Sequence, residues 1–297
     1  MNSHIIDTLT HKVLLKHVTK TITETNGISL VDTLELMASP ELKEESQRAY
    51  ELVESFSKLI ALFQINEANI HHLLQHPVNL ALFEFFKRFP LKYHEEHIHL
   101  TGSMTAEFIF PRLKKLLDGP NKSIYEKKIK EVYGNEAWPI ESAKDVDELI
   151  RLKESEGFAT YLRIIYLPKL ILVDRQAHAE SSYHLAEELY VKYNVGKIRL
   201  KFSLSRATSN SLEQVPGADS VNSEDVVLGL YEGFKKFQEQ HPDFDFVLSP
   251  SFRKESSQFD SSKYATRKQH FEAQVDEIVY LTEKYPFLAK YMTDVDT

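Results

Sequence analysis

Two histidines one residue apart, His97 and His99, are the residues of this chain whose types and spacing best suit chemistry. They lie in the stretch YHEEHIHLTGSM, residues 93–104, whose pattern predicts an extended segment followed by glycine. Because side chains alternate along a strand, both imidazoles would point to one side and Ile98 to the other. Neutral imidazole binds zinc and similar divalent ions, so the pair predicts two ligands of a metal site. Gly102 would let a bound molecule approach the backbone.

The His97–His99 pair alone is weak evidence for a metal site, because histidine is frequent in the chain. With 13 histidines among 297 residues, chance alone supplies roughly half of one His-x-His tripeptide. A second pair, His72 and His76, has the i, i+4 spacing that can hold zinc on one helix face, but no HExxH motif accompanies it. We therefore interpret His72 and His76 as surface residues and base the metal hypothesis on His97 and His99.

The residues before this pair predict an α-helical region, which we assign to residues 1–90. Ser39-Pro40-Glu41 supplies an N-cap and a first-turn proline. A second apolar helix is predicted from Leu80 to Phe89, and Pro90 ends it. Between them, apolar residues recur at helical spacing: Leu52, Val53, Phe56, Leu59, Ile60 and Phe63.

Strands and helices alternate in the second region, residues 91–297. Residues 196–205 and 244–250 predict strands, and a helix capped by Ser223 is predicted between them. The terminal AKYMTDVDT predicts a fourth strand. Such alternation indicates a parallel sheet, and the absence of GxGxxG and GxxxxGK[ST] motifs favours a barrel over a nucleotide-binding doubly wound sheet. Residues 105–195 predict a long helical insertion after the first strand, suited to a substrate lid.

The stretch LKYHEEHIHLTGSM resembles the first-strand HxHLxG motif of the adenosine deaminase family, within the metal-dependent amidohydrolases. Residues 198–204, 246–254 and 293–297 resemble the second, third and fourth strands of that family. The resemblance covers approximately residues 90–297. It implies an α/β fold, a (β/α) TIM-type barrel of the amidohydrolase kind, of which this chain contains about the first four strands.

The same resemblance implies a zinc-dependent hydrolase that removes an amino group from a purine ring by adding water. His97 and His99 match the two first-strand ligands of Zn²⁺ or another divalent metal. Thr101 and Gly102 match positions beside the substrate. Adenosine-type members usually carry an acid that meets the sugar at the position of Thr101, and this departure weakens adenosine as the substrate. Adenosine, adenine and a purine nucleotide all stay open.

Other positions depart from the family pattern. Arg199 and Lys201 replace a common glutamate and arginine, and Lys254 replaces a common histidine, whereas Arg253 matches the third-strand arginine. The family takes its remaining ligands and its catalytic acid from later strands, so catalytic residues are expected beyond residue 297. We therefore expect a truncated, N-terminal portion of a deaminase that is inactive alone. Two alternatives stay open: an amidohydrolase with a non-purine substrate, and a non-catalytic binding or scaffold protein derived from the same fold.

Composition and charge limit the metal ligands, the partners and the cellular location that the sequence predicts. The chain has no cysteine, so any metal must be held by histidine and carboxylate. A net charge of −8 disfavours broad binding to nucleic acid. The first residues lack a secretory signal, and the most apolar stretch, residues 164–173, is interrupted by Pro168 and Lys169 and is too short to span a membrane. We expect a cytoplasmic protein with a small purine as its partner, and the sequence leaves its oligomeric state open.

Overall fold

The computed structural model describes residues 6–25, 30–65, 72, 74–153, 156–204, 221–252 and 263–296. The chain divides into two compact units, Met1–Lys92 and Tyr93–Thr297, which we call the helical unit and the sheet unit. Among the helices in the described ranges, none is long and apolar enough to cross a membrane.

Local sequence signals set the ends of helices in the helical unit. The Ser39 hydroxyl accepts a hydrogen bond from the Leu42 backbone N–H at 3.2 Å, and Pro40 begins that helix, as predicted. His76 caps another helix, because its Nδ1 accepts from the Val78 N–H at 3.2 Å. The described helices of this unit are α1 (Thr8–Thr25), α2 (Leu30–Met37), α3 (Pro40–Glu45), α4 (Gln47–Ile65) and α5 (Pro77–Lys87).

The helical unit has its own apolar core. Of the predicted apolar stripe, Val53, Phe56 and Leu59 of α4 are buried and Leu52 and Ile60 are partly buried, whereas the side chain of Phe63 lies outside the described part of the structure. Phe85 of α5 is also buried, and its ring centroid lies 6.4 Å from that of Phe56. The Phe85 ring meets the His11 ring edge-on at 5.6 Å, so one histidine is packed into this core.

One open sheet of three parallel strands organises the described part of the sheet unit. The strands are β1 (Tyr93–His99), β2 (Val195–Phe202) and β3 (Asp245–Pro250), in that spatial order. The expectation of a TIM-type barrel with about four strands is therefore wrong. Alternating strands and helices indicate parallel pairing, but closure requires about eight strands with a matching shear, and the local pattern does not encode that number.

The segment predicted as a fourth strand forms a single β-bridge. Asp296 makes an isolated parallel bridge with Ser251. The Asp296 N–H donates to the Pro250 carbonyl at 2.9 Å, and the Phe252 N–H donates to the Asp296 carbonyl at 2.8 Å. The acidic residues of this segment consequently lie beside the carboxyl end of β3.

Helices fill the described connections between strands. The connection after β1 begins with a 3₁₀ turn, Leu100–Gly102, and continues mostly as helix, as predicted. Asn222 caps the helix after β2 by accepting from the Asp225 N–H at 2.8 Å, whereas Ser223, the predicted cap, lies in the first turn. The described helices are α6 (Ala106–Leu117), α7 (Lys122–Tyr133), α8 (Ala143–Ile150), α9 (Phe158–Ile164), α10 (Tyr166–Leu170), α11 (Arg175–Tyr193), α12 (Ser223–Gln240) and α13 (Arg267–Lys284).

The two sides of the sheet differ in polarity. Ile198, Leu200 and Phe202 of β2 are buried in the core formed with α11 and α12, and the intervening residues of β2 point to the opposite side. Helices α11 and α12 pack closely because Gly233 has no side chain; a Cβ there would overlap the Ala179 carbonyl oxygen. The sheet therefore has an apolar side against helices and a polar side that carries Lys201 and the candidate site.

Candidate functional site

A bulge in β1 positions the two candidate ligands. Glu95 pairs with Ile198 and Ile98 pairs with Leu200, so two residues of β1 lie opposite one residue of β2 at this point. A bulge of this kind bends a strand and re-aims its side chains. Glu95 supports the bulge, because its Oε1 accepts a hydrogen bond from the His97 backbone N–H at 3.0 Å.

The bulge brings the His97 and His99 imidazoles together on the polar side. Their Nε2 atoms are 3.3 Å apart, and their ring centroids are 5.2 Å apart with a 57° angle between the ring planes. His97 is exposed and His99 is partly buried, so the rings meet at the surface of the sheet unit. The structure thus joins the two residues that the sequence predicts as ligands.

The separation of these nitrogens fits zinc. Two nitrogen ligands about 2.0–2.1 Å from a tetrahedral zinc ion lie about 3.3 Å from each other. The Nε2 atoms of His97 and His99 have this separation. The same distance allows an N–H···N hydrogen bond when one ring carries a proton on Nε2. The separation is therefore compatible with either a shared hydrogen bond or a shared ion.

The surroundings of His99 favour its neutral form. Burial lowers the pKa of His99 below its ordinary value, and the neighbouring His97 and Lys201 lower it further, whereas Asp296 opposes them. His99 lies directly opposite Lys201 in the β1–β2 register. A metal binds deprotonated imidazole, and the lowered pKa favours that form of His99.

Lys201 and Arg199, on the polar side of the sheet, pair with carboxylates that the sequence did not predict as their partners. Lys201 Nζ lies 2.5 Å from Asp296 Oδ1, and Ser251 donates to the other Asp296 oxygen at 3.1 Å. Arg199 pairs with Glu96 at 2.7 Å and also contacts Asp294. The alternating aspartates of TDVDT were the available signal, but their partners Arg199, Lys201 and Ser251 lie on β2 and just after β3, far away in sequence.

A third ligand does not complete the histidine pair within the described residues. These residues contain no group of three or more histidine, cysteine, aspartate and glutamate side chains that could hold a metal ion. His184 has a different role: its ring stacks on Phe108 at 4.4 Å, and its Nε2 lies 3.2 Å from the Thr105 hydroxyl. The candidate centre is therefore a two-histidine site.

The predicted substrate positions, Thr101 and Gly102, lie in the 3₁₀ turn that follows β1. The turn is tied to the strand by the Ser103 hydroxyl, which donates to the His99 carbonyl at 2.7 Å. Gly102 is exposed, and a Cβ built on it would meet the Tyr161 hydroxyl oxygen at 3.8 Å. Tyr161 is a neighbour that the sequence argument did not identify, because it comes from α9.

Two further predictions concern other parts of the chain. Arg253 and Lys254, compared above with the third-strand motif, lie outside the described residues. His76, one half of the second histidine pair, is the N-cap of α5. Its Nδ1 is used by the helix backbone, which gives this residue a structural role.

No family model matches the chain, and no curated protein matches it significantly. A functional assignment therefore depends on the geometry of the His97–His99 site.

Proposed function

We propose that this protein is a zinc-dependent aminohydrolase that removes the amino group of a purine such as adenosine, adenine or a purine nucleotide. One observation carries the proposal: two imidazole nitrogens converge to 3.3 Å at the end of a parallel strand. The HxHLxG resemblance supplies the choice of reaction. In that reaction water adds to the ring carbon, the amino group leaves as ammonia, and the purine keeps an oxo group.

The residues of this chain have distinct tasks in the proposal. His97 and His99 would hold the ion, and the backbone at Thr101 and Gly102 would border the substrate. When bound, zinc supplies Lewis acidity, which makes water a nucleophile near neutral pH. The Glu95 carboxylate accepts from the His97 backbone N–H and so helps to fix the backbone of the β1 bulge that carries both histidines.

Zinc titration tests the metal part of the proposal. Metal-free protein should bind one zinc ion per chain in a calorimetric titration. His97→Ala and His99→Ala should each weaken zinc binding by at least about 100-fold, because second-shell changes alone cost about 10- to 100-fold. His94→Ala is the matched control, since His94 is an exposed histidine of the same strand. Equal zinc affinity in all three variants would contradict the site.

Ammonia release tests the reaction. Zinc-loaded residues 1–297 and the longest natural product of the gene are assayed with adenosine, adenine, AMP and cytidine. We expect negligible release from residues 1–297 and purine-dependent release from the longest product, which His99→Ala should abolish. Release from cytidine alone would favour an amidohydrolase with a non-purine substrate.

A non-catalytic binding role is the second candidate. It is favoured by the lack of a group of three or more potential metal-binding side chains in the described part of the chain. Zinc binding without ammonia release in the longest natural product would support this role over the enzyme.

A further inference from the structure

The ion pair formed by Lys201 and Asp296 lies beside the His97–His99 site. His99 and Lys201 are direct partners in the β1–β2 register, and partners in register project to the same side of a sheet. Lys201 Nζ lies 2.5 Å from Asp296 Oδ1. The charged neighbours that act on the pKa of His99 are His97, Asp296 and Lys201, and the last two act in opposite directions. Both charges of the pair are therefore close to the ring of a candidate ligand.

Backbone and side-chain contacts fix the Asp296 carboxylate at this place. The Asp296 N–H donates to the Pro250 carbonyl at 2.9 Å, and its carbonyl accepts from the Phe252 N–H at 2.8 Å. The Ser251 hydroxyl donates to Asp296 Oδ2 at 3.1 Å, so both carboxylate oxygens have partners. The Lys201 and Asp296 side chains are mostly buried, so water screens their charges less than it screens those of an exposed pair.

We propose that the Lys201–Asp296 pair sets the affinity of the His97–His99 site for zinc, with the Asp296 carboxylate attracting the ion and the Lys201 ammonium repelling it. This inference rests on the metal site of the proposed function. Neither side chain has to be a ligand, because Coulomb energy falls only with the first power of distance. In the intact pair the two charges largely cancel. Removal of one charge leaves the other to act on the ion alone, so the two removals have opposite effects.

The experiment measures the zinc affinity of metal-free protein by calorimetry in two variants. Lys201→Met removes the positive charge and should tighten zinc binding about 5- to 30-fold. That range is expected for a divalent ion and a unit charge several ångströms apart in a partly hydrated site. Asp296→Asn removes the negative charge and should weaken zinc binding by a similar factor.

The direction of the two shifts distinguishes a charge effect from a structural one. Each substitution breaks the same ion pair, so a structural disturbance would change zinc affinity in the same direction in both variants. Lys201→Arg keeps the charge and should bind zinc like the wild type. Lys114→Met and Asp118→Asn are the matched controls, since these residues form an exposed pair at 3.0 Å at the C-terminal end of α6. Both controls should keep the wild-type zinc affinity.

The outcomes separate the inference from the function on which it rests. Opposite shifts in Lys201→Met and Asp296→Asn would support the inference. Shifts in one direction, or unchanged affinity, with zinc still bound through His97 and His99, would overturn the inference and leave the metal site standing. If Asp296→Asn does not fold in a urea titration, the comparison of Lys201→Met with Lys201→Arg decides, and equal zinc affinity of these two overturns the inference. A wild type that binds no zinc, or binds it without need of His97 and His99, would overturn the proposed function together with the inference.

Discussion

The helical unit and the sheet unit each lower the pKa of a histidine, but they surround the ring differently. His11 of the helical unit is 8% exposed, and burial lowers its pKa, with the Arg88 charge adding to the effect. Its Nε2 is buried and has no hydrogen-bond partner within the described residues. In the sheet unit, burial also lowers the pKa of His99, but His99 Nε2 faces His97 Nε2 at 3.3 Å.

This difference shows that burial alone does not identify a metal ligand. His11 is enclosed by apolar side chains such as Phe85, so its ring has become part of a core. His99 lies at a surface where a second ring nitrogen converges on the same point. A lowered pKa links folding to pH at both histidines, but only at His99 does it accompany a second ring nitrogen within 3.3 Å.

The largest expected effect comes from opening the core around His11. Phe85→Ala removes a side chain that is 1% exposed and should lower the free energy of unfolding by about 3–5 kcal/mol. Urea unfolding gives the change, and amide hydrogen exchange in α4 and α5 assigns it to the helical unit. Phe83→Ala in the same helix is the control, because Phe83 is 42% exposed. Similar losses from both changes would contradict the core described for α5.

A smaller effect is expected on the polar side of the sheet. Asp296→Asn keeps the shape of the side chain but leaves Lys201 without its charged partner. Both side chains are mostly buried, at 21% and 11% exposure, so the loss should be about 1–3 kcal/mol. Glu272→Gln is the control, since Glu272 forms an exposed pair with Lys268 and should change stability little. Equal stability of Asp296→Asn and wild type in urea would show that the pair does not tie the C-terminal segment to β2.

The smallest expected effect is the pH dependence caused by His11. Its folded pKa lies below the ordinary value of 6.5, so the unfolded chain binds a proton first as the pH falls. Stability linked to His11 is therefore complete above pH about 6.5 and declines as the pH falls toward the folded pKa. His11→Phe and His11→Gln should both reduce the slope of unfolding free energy between pH 7 and pH 5. Identical slopes in the wild type and both variants would rule out this linkage.

Features that depend on residues close in sequence were predicted more reliably than the global fold. Sequence reasoning identified the Ser39 cap, the buried α4 stripe and the helical insertion after the first strand, because each depends on residues close in sequence. It was wrong about the barrel, since the number of strands that pair and whether they close depend on contacts between distant segments. Within the site it selected His97 and His99, but it did not identify Tyr161 as the neighbour of Gly102.

The sequence by itself determined which residue types are available for chemistry and where the first three strands and several of the helices lie. The His-x-His spacing in an extended segment already required the two imidazoles to share a side, because side chains alternate along a strand. Only the tertiary structure decided that the sheet stays open, that Lys201 meets Asp296, and that Tyr161 faces Gly102. Those relations join residues about 60 to 95 positions apart, and their formation depends on how packing energy offsets chain entropy over the whole unit.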